Sequence, residues 1–513
     1  MATAGEAHAR REHVETAPDA PQAGYARRAP EETLLYRLVQ TNLETLLAEH
    51  PALPEYVAQE FRRFLDCGVL SRGFTLLECS RCGKKLPLAF SCKTSTFCPS
   101  CLTRRMHATA ADLVDRVLPV APYRHWVLAF PAQLRYWLAR DEALLAKLRQ
   151  LFVRSVRAWL RAKARALGVR RPLTGAVAFT QRFSSRLLIY PHVHCLIPDG
   201  VFALAEAGEV RFHELKPRQI DIEAIVSRVA RKAAKLLARL DPDAIEPDPL
   251  DRMRACAQQG ELPLHLASVE QIALVSGRML ANVDCYSLQA ARHLHQNDRK
   301  GLEFLVRYVL RPPLALERMT ELPSGNILIT FKRPLPSGSA AMELTPMALL
   351  RRLAALVPTP GSHGTSYYGV FASNAKLRKR LVRPGRKSPE SCRGHPGCEA
   401  HDADLTMDPQ PSDPLLGLDD RRVEESPEEH YIPWAALLKR VHGVEVLRCD
   451  CGGLRTVVRC VTEQEEIKEE LEALGLWKQP PEVAPARRSL QAEIFDELSL
   501  ADGVDPPAPD DVA

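Results

Sequence analysis

Apolar residues recur every three or four positions in several stretches of the chain, a spacing that predicts amphipathic helices. The first such stretch, LLYRLVQTNLETLLAEH, follows Glu32, and a second helix is expected over residues 54–67. Further helices are predicted over residues 108–117, 134–167, 220–240, 298–311 and 343–357. The helix over 298–311 should stop at Pro312 and Pro313, since proline lacks the amide hydrogen that a helix uses.

Other stretches have the short apolar runs and flanking turn residues that are typical of β-strands. These are RHWVLAFP (124–131), GAVAFTQRF (175–183), LLIYPHVHCLI (187–197) and GNILITFKRPL (325–335). Residues 183–185 supply a hairpin turn between the second and third strands. The mixture predicts an α+β fold in which an antiparallel sheet carries packed helices and is preceded by a helical region.

Composition changes along the chain divide it into six segments. Residues 1–31 and 383–430 are polar or rich in Pro and Gly, and are predicted to be a disordered tail and a linker. The other predicted segments are a helical region with a zinc ribbon (32–118), a central domain with a helical insertion (119–382), a small degenerate cysteine module (431–480) and an acidic tail (481–513).

Overall composition is that of a soluble globular protein, with 46% hydrophobic and 26% charged residues among 513. No apolar run is long enough for a membrane span, and the N-terminus has no apolar region typical of a secretory signal. A cytoplasmic protein is therefore expected. The net charge is +6. Because the C-terminal tail is acidic, the folded part is more basic than this total, which favours nucleic acid as a partner.

The chain has fourteen cysteines, which in a reducing compartment are more typical of metal sites than of disulfides. Cys79 with Cys82 and Cys98 with Cys101 form two CxxC turns, which predict one structural zinc ribbon. Lys93, Arg104 and Arg105 around it would suit phosphates. Cys92 is either a buried small residue or an alternative ligand. A second zinc site at Cys449, Cys451 and Cys460 is a weaker hypothesis.

His192 and His194 lie two positions apart in a predicted strand, so their imidazoles should point to the same face while Val193 packs into the core. Such a pair can share a divalent ion. The preceding strand carries Gln181, whose amide oxygen is the preferred third ligand, and Asp199 is the alternative.

A tyrosine on the helix over 298–311 is the candidate nucleophile. Apolar residues of that helix form a buried stripe and leave Arg307, Tyr308 and Arg311 at one edge. A phenol is a weak nucleophile near neutral pH, and flanking guanidinium groups would stabilise the phenolate and hold the phosphate that it attacks. The alternative is a half-buried tyrosine that only packs on its helix.

Together these motifs resemble the rolling-circle transposases of the insertion sequence 91 type, in the HUH endonuclease superfamily. The resemblance extends from CSRCG, SCK and CPSC through HWVLAFP and HVHCLIPDGVF to LVRYVLRPPLALERM and YYGVFA. It implies an HUH-like sheet and a Mg²⁺ or Mn²⁺ ion at His192 and His194. It also implies that Tyr308 attacks single-stranded DNA at element ends to form a 5′-phosphotyrosine. Some relatives carry a second tyrosine where this chain has Phe304, so a single-tyrosine branch is expected.

Two other functions remain open at this stage. A replication initiator or relaxase of the same superfamily would use the same histidines and tyrosine, although the chain has no GxxxxGK[ST] motif of a fused helicase. The other is a zinc-ribbon DNA-binding protein without catalytic activity.

Overall fold

The N-terminal region is built from two helices and a β-hairpin. The computed structural model describes residues 27–94, 96–205, 209–239, 279–334, 338–381 and 434–487. Helix α1 (Leu34–Glu49) begins where the Thr33 side chain accepts a hydrogen bond from the Tyr36 amide, and α2 (Glu55–Asp66) follows. Strands β1 (Phe74–Cys79) and β2 (Lys85–Ala89) pair antiparallel, and α3 (Pro99–Asp112) then continues into a π-helical turn, Leu113–Val117.

The centre of the molecule is an antiparallel sheet. Its chain segments, in order, are β3 (Tyr123–Ala129), α4 (Ala132–Arg140), α5 (Glu142–Ala166), β4 (Gly175–Phe183), β5 (Ile189–Pro198), β6 (Gly200–Leu204), β7 (Val210–Glu214), α6 (Gln219–Leu237), β8 (Leu280–Val283), β9 (Tyr286–Gln289) and β10 (His293–Leu294). With β14 (Thr365–Gly369), the sheet has the order β14-β4-β5-β3-β9-β8, and β10 also pairs with β3. Strand β5 therefore lies between β3 and β4.

Helices cover both faces of this sheet. On one face, Val193 and Cys195 of β5 pack with apolar residues of α5 and α6. On the other, Leu196 of β5 and Phe179 of β4 pack with the π-helical turn and with α7 (Arg299–Val309). The apolar stripe of α7 is the one that the sequence predicts: Leu302, Leu305, Val306 and Val309. The alternation of strand side chains thus directs the neighbours of Val193 toward α7.

The remaining elements extend the N-terminal core. A small sheet of β11 (Met319–Glu321), β12 (Ile327–Thr330) and β13 (Ala341–Leu344) packs with α8 (Pro346–Ala355) against α1 and α2. A short helix, α9 (Arg378–Leu381), follows β14. Near the C-terminus lie α10 (Trp434–His442), β15 (Arg455–Val461) and α11 (Gln464–Ala473). Strand β15 pairs with β1, so the end of the chain joins the N-terminal hairpin in the order β15-β1-β2.

The α+β class and the antiparallel sheet predicted from the sequence are confirmed, with local differences. The predicted helix over 134–167 is two helices, separated where the Asp141 side chain caps α5 by accepting from the Leu144 amide. The helix predicted over 108–117 begins at Pro99 and ends in the π-helical turn. The strand predicted over 325–335 is the shorter β12. The predicted linker, residues 1–26 of the N-terminal tail and residues 488–513 of the acidic tail lie outside the described residues.

Among the helices of the described segments, none combines the length and the apolar character needed to cross a membrane.

Leu128 tests the core beneath the central sheet. The residue is fully buried between β3 and the helices of its face. Replacing it, Leu128→Ala, should lower the free energy of unfolding by about 2–5 kcal/mol, because it removes apolar contacts and leaves a cavity. Urea unfolding measures this. The matched variant Leu167→Ala, at a leucine that is 68% exposed, should change stability by less than about 0.5 kcal/mol; equal effects of the two variants would contradict the packing.

Candidate functional site

Three histidines meet on the sheet face that α7 covers. His192 and His194 lie on β5 opposite Ala129 and Val127 of β3, and Val193 between them packs into the opposite core as predicted. The third is His125 of β3, whose Nε2 lies 2.9 Å from Nδ1 of His194, with the two rings stacked. The ring centroids of His192 and His194 are 4.7 Å apart. The alternation of side chains on paired strands brings these imidazoles together.

Gln181 completes the polar cluster, as the sequence predicts. It lies directly opposite His192 in the pairing of β4 with β5, and its Oε1 is 3.3 Å from Nε2 of His194. Its Nε2 donates to the carbonyl of Val309 at 3.5 Å, which turns the amide oxygen toward the histidines. Cis ligands of an octahedral Mg²⁺ at about 2.1 Å are roughly 3 Å apart, so this oxygen and nitrogen have a separation suited to one shared ion.

Hydrogen bonds leave the ring nitrogens of the pair suited to metal binding. Nδ1 of His192 lies 2.7 Å from the carbonyl oxygen of Tyr190, so Nδ1 carries the proton and Nε2 keeps its lone pair. For His194, a proton on Nδ1 donated to His125 likewise frees Nε2 toward Gln181. The contact with His125 at Nδ1 thus fixes the ring orientation of His194 with Nε2 directed toward Gln181.

The histidines are buried and uncharged. Desolvation lowers the pKa of His125 and of His192 to about 4, and that of His194 well below its usual 6.5. The Arg311 guanidinium adds to the lowering at both His192 and His194. Neutral imidazoles are the form that binds a divalent ion. The pKa shifts also place the positive charge of Arg311 beside the pair.

Asp199, the alternative third ligand, has a different role. Its carboxylate accepts from Nε of Arg124 at 2.9 Å and from Nη2 at 2.6 Å, and both side chains are buried. Arg124 also donates to the carbonyl of Ala290. This buried ion pair ties β3 to the end of β5, and it occupies the carboxylate that a metal ion would need. This geometry favours Gln181 over Asp199 as the third ligand.

Tyr308 lies at the end of α7 nearest the histidine cluster. Its neighbour Val309 is the residue whose carbonyl accepts from Gln181. The guanidinium carbon of Arg311 lies 4.7 Å from the centre of the Tyr308 ring, and the ring is 39% exposed. Arg307 instead lies over Phe304, at 6.0 Å. A partly exposed phenol beneath a guanidinium that also acts on the histidines is suited to reach a phosphate.

A second phenol, Tyr190, lies beside the cluster. Its ring centroid is 5.1 Å from that of His192, and the buried Arg135 lies 4.0 Å from its ring centre. Arg135 also lowers the pKa of His192, after burial and the Arg311 charge. Tyr190 is therefore the competing candidate nucleophile that an experiment must distinguish from Tyr308.

A cavity of about 270 Å³ opens beside Gln181 and α3, and neither the three histidines nor Tyr308 is among the residues that line it. Gln181, Arg311 and Arg105 of α3 all line it. Arg105 donates to the carbonyl of Lys93 at 2.9 Å, so two of the basic residues predicted to bind DNA are held together at this opening. Arg104 lies in the same helix.

Eight cysteines of the described residues form two clusters of four, rather than the single ribbon predicted from the two CxxC turns. Cys98 and Cys101 group with Cys67 and Cys92, whereas Cys79 and Cys82 group with Cys449 and Cys451. The prediction that Cys79, Cys82, Cys98 and Cys101 share one ion is wrong, because β2 and the loop to α3 separate the two turns. Cys460 belongs to neither cluster.

Both clusters have the dimensions of tetrathiolate zinc sites. Neighbouring Sγ atoms are 3.4–3.7 Å apart in the first cluster and 3.5–3.7 Å apart in the second. Thiolates at a Zn–S distance of about 2.3 Å are roughly 3.8 Å apart in a tetrahedron, whereas a disulfide needs about 2.05 Å. Backbone amides of Cys82 and Arg81 lower the pKa of Cys79 to about 6, which favours the thiolate.

Reasoning from the sequence missed three contributors, namely His125, Arg135 and Cys67, whereas Cys92 lies in a cysteine cluster as one of its two sequence-based alternatives allowed. His125 occurs in a predicted strand, so its alternation was readable, but its pairing with β5 was not. Cys67 ends α2, far from any other cysteine in the sequence, and no spacing rule identifies it.

Comparisons with known proteins agree with the arrangement of the two regions. Residues 38–130 match the family described as "Transposase zinc-binding domain", and residues 175–379 match the family described as "Putative transposase". The chain is 22% identical over 363 residues to the "Putative transposase y4qJ" of Sinorhizobium fredii, across 70% of this chain and 84% of that protein. No solved structure matches the chain.

Asp199 provides a test of the distinction between ion pair and metal ligand. Asp199→Asn should lower the free energy of unfolding by about 3–5 kcal/mol, because Arg124 would keep a buried charge without its partner. Urea unfolding of metal-free protein measures this. Glu55→Gln, which breaks the exposed pair with Arg62, is the control and should cost less than about 1 kcal/mol. Unchanged stability together with weakened Mn²⁺ binding would make Asp199 a ligand after all.

Proposed function

We propose that this chain acts as a transposase of the insertion sequence 91 type and that it nicks and rejoins single-stranded DNA at element ends through a 5′-phosphotyrosine at Tyr308. The observation that carries the proposal is the hydrogen bond from Gln181 to the carbonyl of Val309. It ties the imidazole cluster to the helix end that bears Tyr308. A nucleophile, a metal-ligand set and a guanidinium thereby belong to one face of one sheet.

The residues have distinct roles in the proposed reaction. His192, His194 and Gln181 would hold Mg²⁺ or Mn²⁺, which when bound withdraws charge from the scissile phosphate. The Tyr308 oxygen attacks phosphorus after its proton leaves to solvent, and the bond between phosphorus and the 3′-oxygen breaks. That oxygen takes a proton and leaves as a 3′-hydroxyl. Attack by a 3′-hydroxyl on the phosphotyrosine reverses the step and conserves the bond energy.

Arg311 and His125 support this chemistry without reacting. The Arg311 guanidinium lies over the Tyr308 ring, where it stabilises the phenolate and attracts the phosphate. His125 holds the His194 ring through Nδ1, which keeps Nε2 directed to the ion. The burial of all three imidazoles keeps them neutral.

DNA would enter along the opening between α3 and the sheet. Arg105 and Arg311 both line this cavity, and Arg105 donates a hydrogen bond to the backbone carbonyl of Lys93. A single strand carries one charge per phosphate, so paired basic residues at the mouth of the site position the backbone without reading its sequence.

The nucleophile is tested by covalent capture. The protein is incubated with Mn²⁺ and single-stranded DNA that carries an element end and a 5′ or 3′ label. A covalent adduct that retains the DNA on the 3′ side of the nick is expected for wild type. It should be lost in Tyr308→Phe, because only the nucleophilic oxygen is removed, and kept in Tyr190→Phe.

Controls separate the alternatives in that assay. EDTA should abolish the adduct. An adduct that survives in Tyr308→Phe but disappears in Tyr190→Phe would transfer the role to Tyr190. No adduct with any element end would favour a DNA-binding protein without catalysis, and an adduct only with plasmid-origin DNA would favour a replication initiator or relaxase.

DNA contacts at the zinc region are tested by salt dependence. Replacing Lys93, Arg104 and Arg105 together by Ala should weaken single-strand binding and make the plot of log K against log salt shallower. Each lost phosphate contact should change that slope by about 0.7. The matched control replaces three exposed basic residues of α6, Arg228, Lys232 and Lys235, on the opposite side of the sheet. Equal slopes for both triple variants would contradict the proposed path.

A further inference from the structure

We propose that the second cysteine cluster binds one zinc ion that clamps the C-terminal segment, residues 434–487, onto the N-terminal hairpin. Its ligands would be Cys79 and Cys82 from the end of β1 and Cys449 and Cys451 from the turn before β15. The end of β1 and the turn before β15 each offer two thiolates, and neither segment alone supplies the four ligands of a tetrahedral site. This inference does not depend on the proposed reaction.

The turn that carries Cys449 and Cys451 is shaped around the other half of the site. The Cys449 amide donates to the carbonyl of Gly453 at 2.9 Å, which closes the turn. A Cβ added at Gly453 would lie 2.7 Å from Sγ of Cys79 and 2.8 Å from Cβ of Arg81. Only glycine allows this approach. The two glycines after Cys451 thus explain how a CxC sequence, one residue shorter than CxxC, presents both thiolates to Cys79 and Cys82.

Backbone and charged contacts surround the cluster on both sides. Nη1 of Arg81 donates to the carbonyl of Cys451 at 2.9 Å, and the Ser80 amide donates to that of Leu454 at 2.9 Å. Lys84 forms an ion pair with Asp450 at 2.9 Å. These contacts hold the turn against the end of β1, where the four sulfurs lie, although the pairing of β1 with β15 shifts register once, between Leu76 and Leu77.

The segment beyond the turn packs on the N-terminal region. Strand β15 pairs with the whole of β1, from Phe74 opposite Val461 to Cys79 opposite Arg455. Ile467 and Leu471 of α11 are buried against Leu70, Phe74 and Leu76. That apolar cluster contains only six buried residues, which is a small core to hold a segment of this length. Small modules of this kind commonly depend on a structural metal.

The clamped segment also contacts the helix that bears Tyr308. Arg440 of α10 forms ion pairs with Asp115 at 2.5 Å and with Glu303 of α7 at 3.0 Å. Glu303 lies one and a half turns before Tyr308. Loss of the ion would therefore release a contact on the catalytic helix as well as the sheet edge.

The proposal is tested by zinc content and by hydrogen exchange of the full-length chain. Wild type should contain two zinc ions per chain, and Cys449→Ser/Cys451→Ser only one. In that variant the β15 amides should lose protection while the β5 amides keep it. Cys79→Ser/Cys82→Ser should lower the protection of the β15 amides in the same way, although Cys79 lies 372 positions before Cys451 in the chain. Cys460→Ser, outside the cluster, should retain both ions.

Further measurements keep the proposal falsifiable if a variant unfolds. Gly453→Ala changes no ligand and should also lose one ion and the protection of β15. A weak chelator titrated into wild type should remove the ion at the exposed Cys82 first and release β15 before β5. Three results would each contradict the clamp. They are one zinc ion per wild-type chain, two zinc ions retained in Cys449→Ser/Cys451→Ser, and loss of exchange protection in β15 only together with loss of protection in β5.

Discussion

The antiparallel pairing of β5 with β3 on one side and β4 on the other is the constraint on which the candidate site depends. The register sets Gln181 opposite His192, and His125 beside His194. A slip of one residue on β5 would turn both imidazoles into the core under α5 and α6 and bring Val193 to the site. The fully buried side chains on both faces oppose such a slip.

The same sheet also explains why polar groups can remain buried near the site. His125, His192, His194 and Gln181 are all nearly inaccessible, yet hydrogen bonds join His125 to His194, His192 to the carbonyl of Tyr190, and Gln181 to the carbonyl of Val309. Burial of unpartnered polar groups would destabilise the fold. Here a connected network reduces that cost and fixes ring orientations. The Arg124–Asp199 ion pair acts similarly at the far end of β5, where it links β3 to the end of β5.

The zinc region and the catalytic sheet are connected through three structural contacts. Helix α3 begins at the first cysteine cluster and lines the cavity beside Gln181. The second cluster unites β1 with the end of the chain. Arg440 then joins that end to Asp115 and to α7. The region with the cysteine clusters therefore supports α3, which lines the cavity beside Gln181, and contacts the helix that bears Tyr308.

The sequence by itself determined the elements whose causes are local. Apolar spacing identified the stripe of α7, and strand alternation separated Val193 from His192 and His194. The Pro312–Pro313 pair predicted where the helix stops to within two residues, since α7 ends at Val309. The strand before the histidine pair put forward Gln181 as a ligand, and the arginines beside Tyr308 put that residue forward as the candidate nucleophile, while the family resemblance implied the reaction. These features depend on residues that are close together in the chain, so the periodicity of apolar and polar positions is enough to predict them.

Only the tertiary structure decided which distant residues meet. The sequence paired Cys79 and Cys82 with the nearest CxxC turn, but β-sheet pairing took them to Cys449 and Cys451 and left Cys98 and Cys101 to Cys67 and Cys92. Strand pairing likewise brings His125 next to His194, and it brings Asp199 next to Arg124. Ligand sets and ion pairs of this kind are fixed by strand register and packing between segments, and spacing along the chain contains no record of either.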